Sequence, residues 1–324
     1  MTTLEQHADL TRSAAEAGHP PDTAAPKPAK TPEEKRRTAL LRFAISITVL
    51  NVVGHLLLGF EQAPMVPVIA VLVAYGTSIA LEALDARMQD RPAEFAGGGR
   101  EMFYFLLPAH IAALACSMLI YADNTGPYVF AVVVAVGSKY VFRVRSRGRL
   151  RHFLNPSNFG IAVTLLLMSE VGFVPPYMFL NNTDQAIDVL IPLIVLTAGT
   201  MLNVGLTGKM PLILAWVGGY VLQAVLRWLF FDDVLLSALG MMTGVAFVLY
   251  TNYMITDPGT TPWKPRSQVA FGLGVAMVYG VLIVVEVSYA IFFALTIVCA
   301  VRGCWLLLAD IRDNRLRNAP AVEA

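Results

Sequence analysis

Two short clusters hold the residue types that could do chemistry. The first is Arg151-His152-Phe153-Leu154-Asn155-Pro156-Ser157-Asn158-Phe159-Gly160. The second is Asn252-Tyr253-Met254-Ile255-Thr256-Asp257-Pro258-Gly259-Thr260-Thr261-Pro262. Each sets Asn or Asp directly before Pro. That order predicts a helix start: the side-chain oxygen caps free backbone N–H groups, and Pro suits the first turn because it has no N–H to lose. A helix start also gathers partial positive charge, which draws anionic or electron-rich ligand atoms. Capping alone accounts for Asn155 and Asp257. It gives no role to Asn158, one turn further on, or to the hydroxyls of Thr256, Thr260 and Thr261. Two readings stand side by side, capped surface turns and a ligand site, since polar residues at membrane depth tend to be functional.

What must position these clusters is a membrane domain. Of 324 residues 56% are apolar and 15% charged, with a mean hydropathy of +0.61; globular norms are about 45–50% and about 25%. So few charges cannot cover a soluble surface, and the fold class expected is all-α integral membrane. A span needs roughly 17–25 mostly apolar residues. Ten segments qualify, near 38–60, 64–84, 102–121, 126–142, 155–171, 187–206, 210–230, 235–254, 268–287 and 289–309. Some are expected to be broken at the Asn-Pro and Asp-Pro helix starts, and the short fifth to be partly re-entrant. Lys35, Arg36 and Arg37 precede the first span, and Arg87, Arg91 and Arg100 follow the second. Lys139, Arg143, Arg145, Arg147, Arg149 and Arg151 lie between the fourth and fifth, while the alternate loops 61–63, 122–125, 172–186 and 231–234 hold no Lys or Arg. The positive-inside rule then predicts both termini, and both clusters, on the cytoplasmic side of a bacterial cell membrane. Residues 1–37, rich in Pro, Ala, Thr and charge, read as a disordered cytoplasmic tail. Residues 38–312 read as the membrane domain and 313–324 as a short cytoplasmic tail.

Other chemistry is mostly excluded. The formal charge is +1, so no global field points to nucleic acid. The basic run 139–151 lacks an aromatic platform and reads as a topogenic loop beside anionic headgroups. Cys116, Cys299 and Cys304 lie in apolar runs with no CxxC or Cys/His cluster, which argues against zinc and an iron–sulfur cluster. Asn51 and His55 share a face of the first span, and His110 lies within the third. Counted from the outer span ends, the two histidines differ in depth by about 9 Å at 1.5 Å per residue. Interhelical hydrogen bonds are therefore expected rather than haem. Glu170 and Glu286 fall near span ends, so no mid-membrane acid marks a cation path. Gly240, Gly244, Gly272, Gly274 and Gly280 read as packing positions. No serine triad, P-loop or paired catalytic acids are present.

The order of the motifs carries a resemblance. Phe153 to Gly160, several spans, then Met254 to Pro262 resembles the D subunit of Rnf electron-transport complexes and the B subunit of Nqr-type NADH:quinone reductases. The Thr-Asp-Pro-Gly-Thr-Thr-Pro wording is most similar to the Rnf D-like membrane proteins of enediyne biosynthesis, the UnbU type. The resemblance runs by span order over about residues 38–312, though its specific motifs amount to few positions. It implies a ten-helix electron-transfer subunit with a non-covalent flavin, riboflavin or FMN, near the Asn-Pro helix start on the cytoplasmic side. Carried over by motif, Asn155 and Asn158 would contact the flavin, with Thr256 and Asp257 as the opposing wall. Partners would be the lipid bilayer and other redox or biosynthetic subunits. One departure matters. Rnf D subunits attach a second flavin to the Thr of an S/T-G-A-T motif in an outer loop. Here that loop offers only Thr183, and Thr197-Ala198-Gly199-Thr200 lies inside the sixth span. A covalent flavin is not expected. A transporter or channel binding a solute at the two helix starts, and a membrane scaffold for biosynthetic enzymes, are the competing readings.

Overall fold

The computed structural model describes residues 31–146, 149–174 and 185–318. Most of the expected N-terminal tail, Thr183 and the last six residues lie outside this range. The chain divides into two units, Met1–Lys35 and Arg36–Ala324. In the first, the Thr31 hydroxyl accepts from Glu34 N–H at 3.2 Å while Glu34 Oε2 accepts from Thr31 N–H at 2.8 Å. This capping box, with Pro32 in the first turn, starts a helix inside the segment expected to be disordered.

The second unit is almost wholly helical. Helix α1 (Pro32–Val53) ends in a π turn, Gly54–Leu58, and is followed by α2 (Met65–Met88) and α3 (Gly99–Leu119). Then come strand β1 (Ile120–Tyr121), α4 (Gly126–Val141), β2 (Arg143–Ser146), β3 (Arg149–His152) and α5 (Pro156–Leu167). Strand β4 (Gly172–Phe173) precedes α6 (Gln185–Leu202), which ends in a second π turn, Asn203–Thr207. The rest is α7 (Met210–Phe230), α8 (Leu235–Gly240), α9 (Val245–Leu249), a third π turn at Tyr250–Met254, α10 (Pro265–Val284) and α11 (Ala290–Asn318).

The expected spans fall largely on helix, and among the described residues seven helical stretches are long and apolar enough to cross a membrane. This is a multi-pass membrane protein. The stretches Leu235–Thr243 and Val245–Met254 meet at a 67° bend, where Gly244 is extended and the helical ladder stops. Helices α4 and α5 are shorter, 16 and 12 residues. At 1.5 Å per residue α5 runs only about 18 Å, less than the ~30 Å hydrocarbon core. After it β4 pairs antiparallel with β1, Ile120 opposite Phe173 and Tyr121 opposite Gly172. Flanking Val171 and Val174 are buried, and non-helical backbone is tolerated near a membrane where protein covers it. The basic run forms a β-hairpin, with Arg143 opposite His152 and Ser146 opposite Arg149. The final helix continues to Asn318, so 313–318 are helical rather than tail.

Small residues set the close contacts. A Cβ on Gly160 would lie 2.3 Å from the Ala131 carbonyl oxygen, so α5 crosses α4 backbone to backbone. Between α7 and α10, Gly272 lies against the Leu212 carbonyl, a Cβ there reaching within 2.6 Å. Gly240, expected to pack, has nothing within 4 Å of an added Cβ. The ring of buried Trp216 centres one aromatic knot with Tyr220, Phe247 and Tyr250, and its indole N–H donates to the Thr251 hydroxyl at 3.0 Å. His110 bonds between helices as expected, its Nε2 2.8 Å from Thr48 Oγ1 and its Nδ1 3.0 Å from the Tyr75 hydroxyl. Thr48 already donates to the Ala44 carbonyl. Its oxygen must therefore accept from Nε2–H, which leaves Nδ1 to accept from Tyr75.

Candidate functional site

Asn155 caps α5 as its sequence predicts. It has extended backbone, its Oδ1 accepts from Asn158 N–H at 3.0 Å, and Pro156 occupies the first turn. Its amide Nδ2 donates to the Met254 carbonyl at 2.8 Å. That single bond joins the two motifs across 99 residues of chain. Met254 closes the π turn after α9, where π geometry leaves carbonyls without their ordinary helical donors.

Asp257 is not a helix start. The chain leaves the π turn, makes a compact turn over 257–261 and does not resume helix until Pro265, with Lys264 at the cap position. Gly259 and Pro262 are poor residues for helix propagation, so the Asp-Pro pair cannot open one. Within the turn, Asp257 Oδ1 accepts from Gly259 N–H at 3.1 Å and Oδ2 from the Thr260 hydroxyl at 3.0 Å. Its backbone carbonyl accepts from the Thr261 hydroxyl at 2.6 Å. Thr256, fully buried, donates back to the Asn252 carbonyl at 2.7 Å. Asn158 Nδ2 reaches α11 instead of the opposing motif, donating to the Phe292 carbonyl and the Thr296 hydroxyl, both at 2.9 Å. Its Oδ1 is enclosed and unpartnered.

Around this joint lie groups that the sequence reading did not single out. His152, at the end of β3, packs over Gly259, where a Cβ would come within 2.7 Å of its Nε2. Burial pushes the imidazole down to about 4, with Lys139, Arg36 and Arg143 adding to the fall and Asp257 opposing it. Lys209 precedes α7 and is fully buried; its ammonium donates to the Pro262 carbonyl at 2.7 Å and lies 5.1 Å from the Trp263 ring centre. Burial lowers it to about 8, against the pull of Asp257. Arg302 of α11 donates to the Thr260 carbonyl at 2.7 Å. Two cations, one just before α7 and one on α11, therefore hold the Pro262 and Thr260 carbonyls. Trp263 itself is 53% exposed, with the Arg151 guanidinium 5.8 Å from its ring centre. A partly buried ion network anchors the neighbouring hairpin. Arg143 Nη1 reaches both Asp85 oxygens at 2.9 and 3.0 Å, Asp85 accepts from Arg91 at 2.7 Å, and Arg91 bonds buried Glu82 at 2.6 Å. The only sequence signal for these groups is the charge of Glu82, Asp85, Lys209 and Arg302 at the edges of greasy segments.

The four residues nominated for a flavin are largely engaged within the protein. The amide N–H groups of Asn155 and Asn158 and the Thr256 hydroxyl are spent on the protein's own carbonyl and hydroxyl oxygens. Each Asp257 carboxylate oxygen accepts one bond within its turn, and the Asn158 oxygen is enclosed and accepts none. Two apolar or mixed surface grooves, about 380 and 450 Å³, lie elsewhere, one between α7 and α10 and one at 228–236. Beside the joint lie the 53% exposed Trp263, His152 and half-buried Lys139, none of them among the four nominated residues. Among the described residues no group of three His, Cys, Asp or Glu gathers to hold a metal. No protein-family model matches this chain, and no curated protein matches it.

Proposed function

We propose that this chain is a membrane-embedded electron-transfer subunit of the Rnf D and Nqr B type, serving a biosynthetic pathway of the enediyne kind. In this reading it crosses a bacterial cell membrane ten times, with α4, α5 and the bent α8–α9 pair completing the count and both termini in the cytoplasm. It holds a flavin, riboflavin or FMN, without a covalent bond, on the rim formed by Trp263, His152 and Lys139. Asn155, Asn158, Thr256 and Asp257 build the floor beneath that rim rather than contacting the ligand. The observation that carries the reading is the Asn155–Met254 hydrogen bond of 2.8 Å, which makes the two resemblance-bearing motifs one structural unit. An indole face flanked by cations suits a planar, electron-poor ring that gains negative charge on reduction.

The test is a visible spectrum of purified protein with flavin extraction and chromatography. Yellow protein that releases riboflavin or FMN supports the reading. Colourless protein from flavin-replete cells, with no extractable flavin, overturns it. A solute transporter remains the second reading because of one feature, the 67° break between α8 and α9. Discontinuous helices are how many transporters expose backbone groups to a substrate. Flux of a solute through proteoliposomes made from colourless protein would favour it.

A further inference from the structure

The outward side of α7 and α10 is not smooth. A groove of about 380 Å³ runs between the two helices, with Ala215, Gly218 and Gly219 in its bed and Leu214, Leu222 and Leu273 along its walls. The bed follows from residue size. A Cβ on Gly219 would come within 2.7 Å of the Ala276 Cβ, so the helices close there, whereas Gly218 has nothing within 4 Å and faces the opening. Leu214, Leu222 and Leu273 are exposed beside it. Every lining residue is apolar. In a multi-pass membrane protein such a groove opens to hydrocarbon rather than water, and close-packed interiors leave few such gaps unfilled.

Length, position and charge narrow the occupant. The groove starts at Pro211, in the first turn of α7, and reaches Leu222. That stretch of helix runs about 17 Å at 1.5 Å per residue, close to one leaflet of a ~30 Å hydrocarbon core. Its starting end is the one beside the joint of the two motifs, where Lys209 donates to the Pro262 carbonyl. At the same end Arg266 lies one turn before Val269 and two before Leu273, so all three share a face of α10. Arg266 and its neighbour Lys264 are exposed, and among the described residues neither forms an ion pair. No Asp or Glu occurs from 209 to 231 or from 258 to 285, so neither segment supplies a counter-charge. Two exposed cations at the mouth of an apolar trough one leaflet long match the outline of a single lipid, an anionic headgroup above an acyl chain.

We propose that this groove holds one anionic phospholipid, its acyl chain in the trough and its phosphate on Arg266 and Lys264. The lipid fills the gap between α7 and α10, and its binding is independent of any flavin. The test follows the melting temperature of the full-length protein in dodecylmaltoside as dioleoyl-phosphatidylglycerol or dioleoyl-phosphatidylcholine is added to the micelles. Phosphatidylglycerol should raise the melting temperature saturably, with a half-saturating content at least roughly fivefold below that of phosphatidylcholine. Gly218→Leu places a side chain in the open trough without touching a neighbour at its Cβ, and it should abolish the rise at normal expression. Gly76→Leu, at an equally open position on α2, should keep it. Arg266→Gln combined with Lys264→Gln should keep the rise and erase the preference between the two lipids. A flat wild-type response, or equal half-saturation by both lipids, overturns the site. A rise that survives Gly218→Leu overturns it too. A dimer in lipid-free detergent that Gly218→Leu dissociates would make the groove a contact between copies of the chain, against the proposal. Should Gly218→Leu fail to fold, an unchanged preference in the Arg266 and Lys264 double variant overturns the headgroup site and the proposal with it.

Discussion

Asp257 shows how a residue's apparent role changes once its neighbours are known. Its carboxylate serves Gly259 N–H and the Thr260 hydroxyl within one turn. Asp257→Asn keeps an oxygen for Gly259, and the Thr260 hydroxyl can rotate to accept from the new amide, so the fold should survive nearly intact. Asp257→Ala removes both acceptors and should cost about 1–3 kcal/mol in thermal or denaturant unfolding. Loss of activity in Asp257→Asn at unchanged melting temperature would show that the charge is used beyond the turn; full activity would confine Asp257 to its structural duty. His152 yields a pH dependence. Its folded value, about 4, lies below the ordinary 6.5, so between those values the unfolded chain binds the extra proton. Stability is then fully present above pH 6.5 and is lost as pH falls towards 4. Wild type should lose melting temperature across that window more steeply than His152→Gln. Asn155 was legible as a cap because capping depends only on residues three apart. Lys209 and Arg302 were not, because what marks them is burial against carbonyls 53 and 42 residues away.

At the scale of elements, helices were legible and their ends were not. Hydropathy marked the apolar helices, yet it extended the fifth segment to residue 171, whereas α5 stops at Leu167. Met168 turns extended, and Ser169, Glu170 and Gly172 then give the chain no reason to continue a helix. Periodicity could not reveal that β4 would pair with β1, since two-residue strands leave no pattern. Nor did it show the basic run as a hairpin, because alternating Arg satisfies a topogenic loop and a solvated strand equally well. The α4–α5 crossing makes a sharp prediction. Backbone rather than side chain opposes Gly160, 2.3 Å from an added Cβ, so the neighbour cannot swing aside. Gly160→Val should destabilise by about 1–3 kcal/mol or more, read as loss of the monodisperse peak in fluorescence size-exclusion chromatography. Gly240→Ala, with open space around it, should leave that peak unchanged. The hairpin offers a test of sidedness. A cysteine at Ser146 in β2 should resist an impermeant thiol reagent in intact cells and react after lysis. Rapid labelling in intact cells would invert the proposed topology and place the Asn155–Asp257 joint outside.

For the whole molecule, the order of segments proved more informative than any one of them. The two motifs lie about a hundred residues apart, and span parity alone put them on one side. Their contact through Asn155 and Met254 sets them side by side, which that parity allows. Parity cannot say which groups remain open once the helices have packed, and Asn155 and Thr256 both donate to carbonyls of the π turn after α9. Polar residues in such a bundle are used first for internal hydrogen bonds, because an orphaned carbonyl costs as much as a lost ligand contact gains. The same reasoning bears on how a flavin would be held. A covalent phosphoester linkage needs a Thr on a solvent-facing loop that an attaching enzyme can reach. Thr197 and Thr200 lie within α6, and the Thr197 hydroxyl already donates to the Leu193 carbonyl at 2.7 Å. Thr183 lacks the flanking Gly-Ala of the Rnf D motif. Denatured protein run on a gel should therefore show no flavin fluorescence, even from a yellow preparation, and acid precipitation should release all of the colour into the supernatant. A fluorescent band that vanishes in Thr183→Ala or Thr200→Ala would mean that an attachment site exists outside the known motif. The proposed rim of Trp263, His152 and Lys139 would then hold at most one of two flavins.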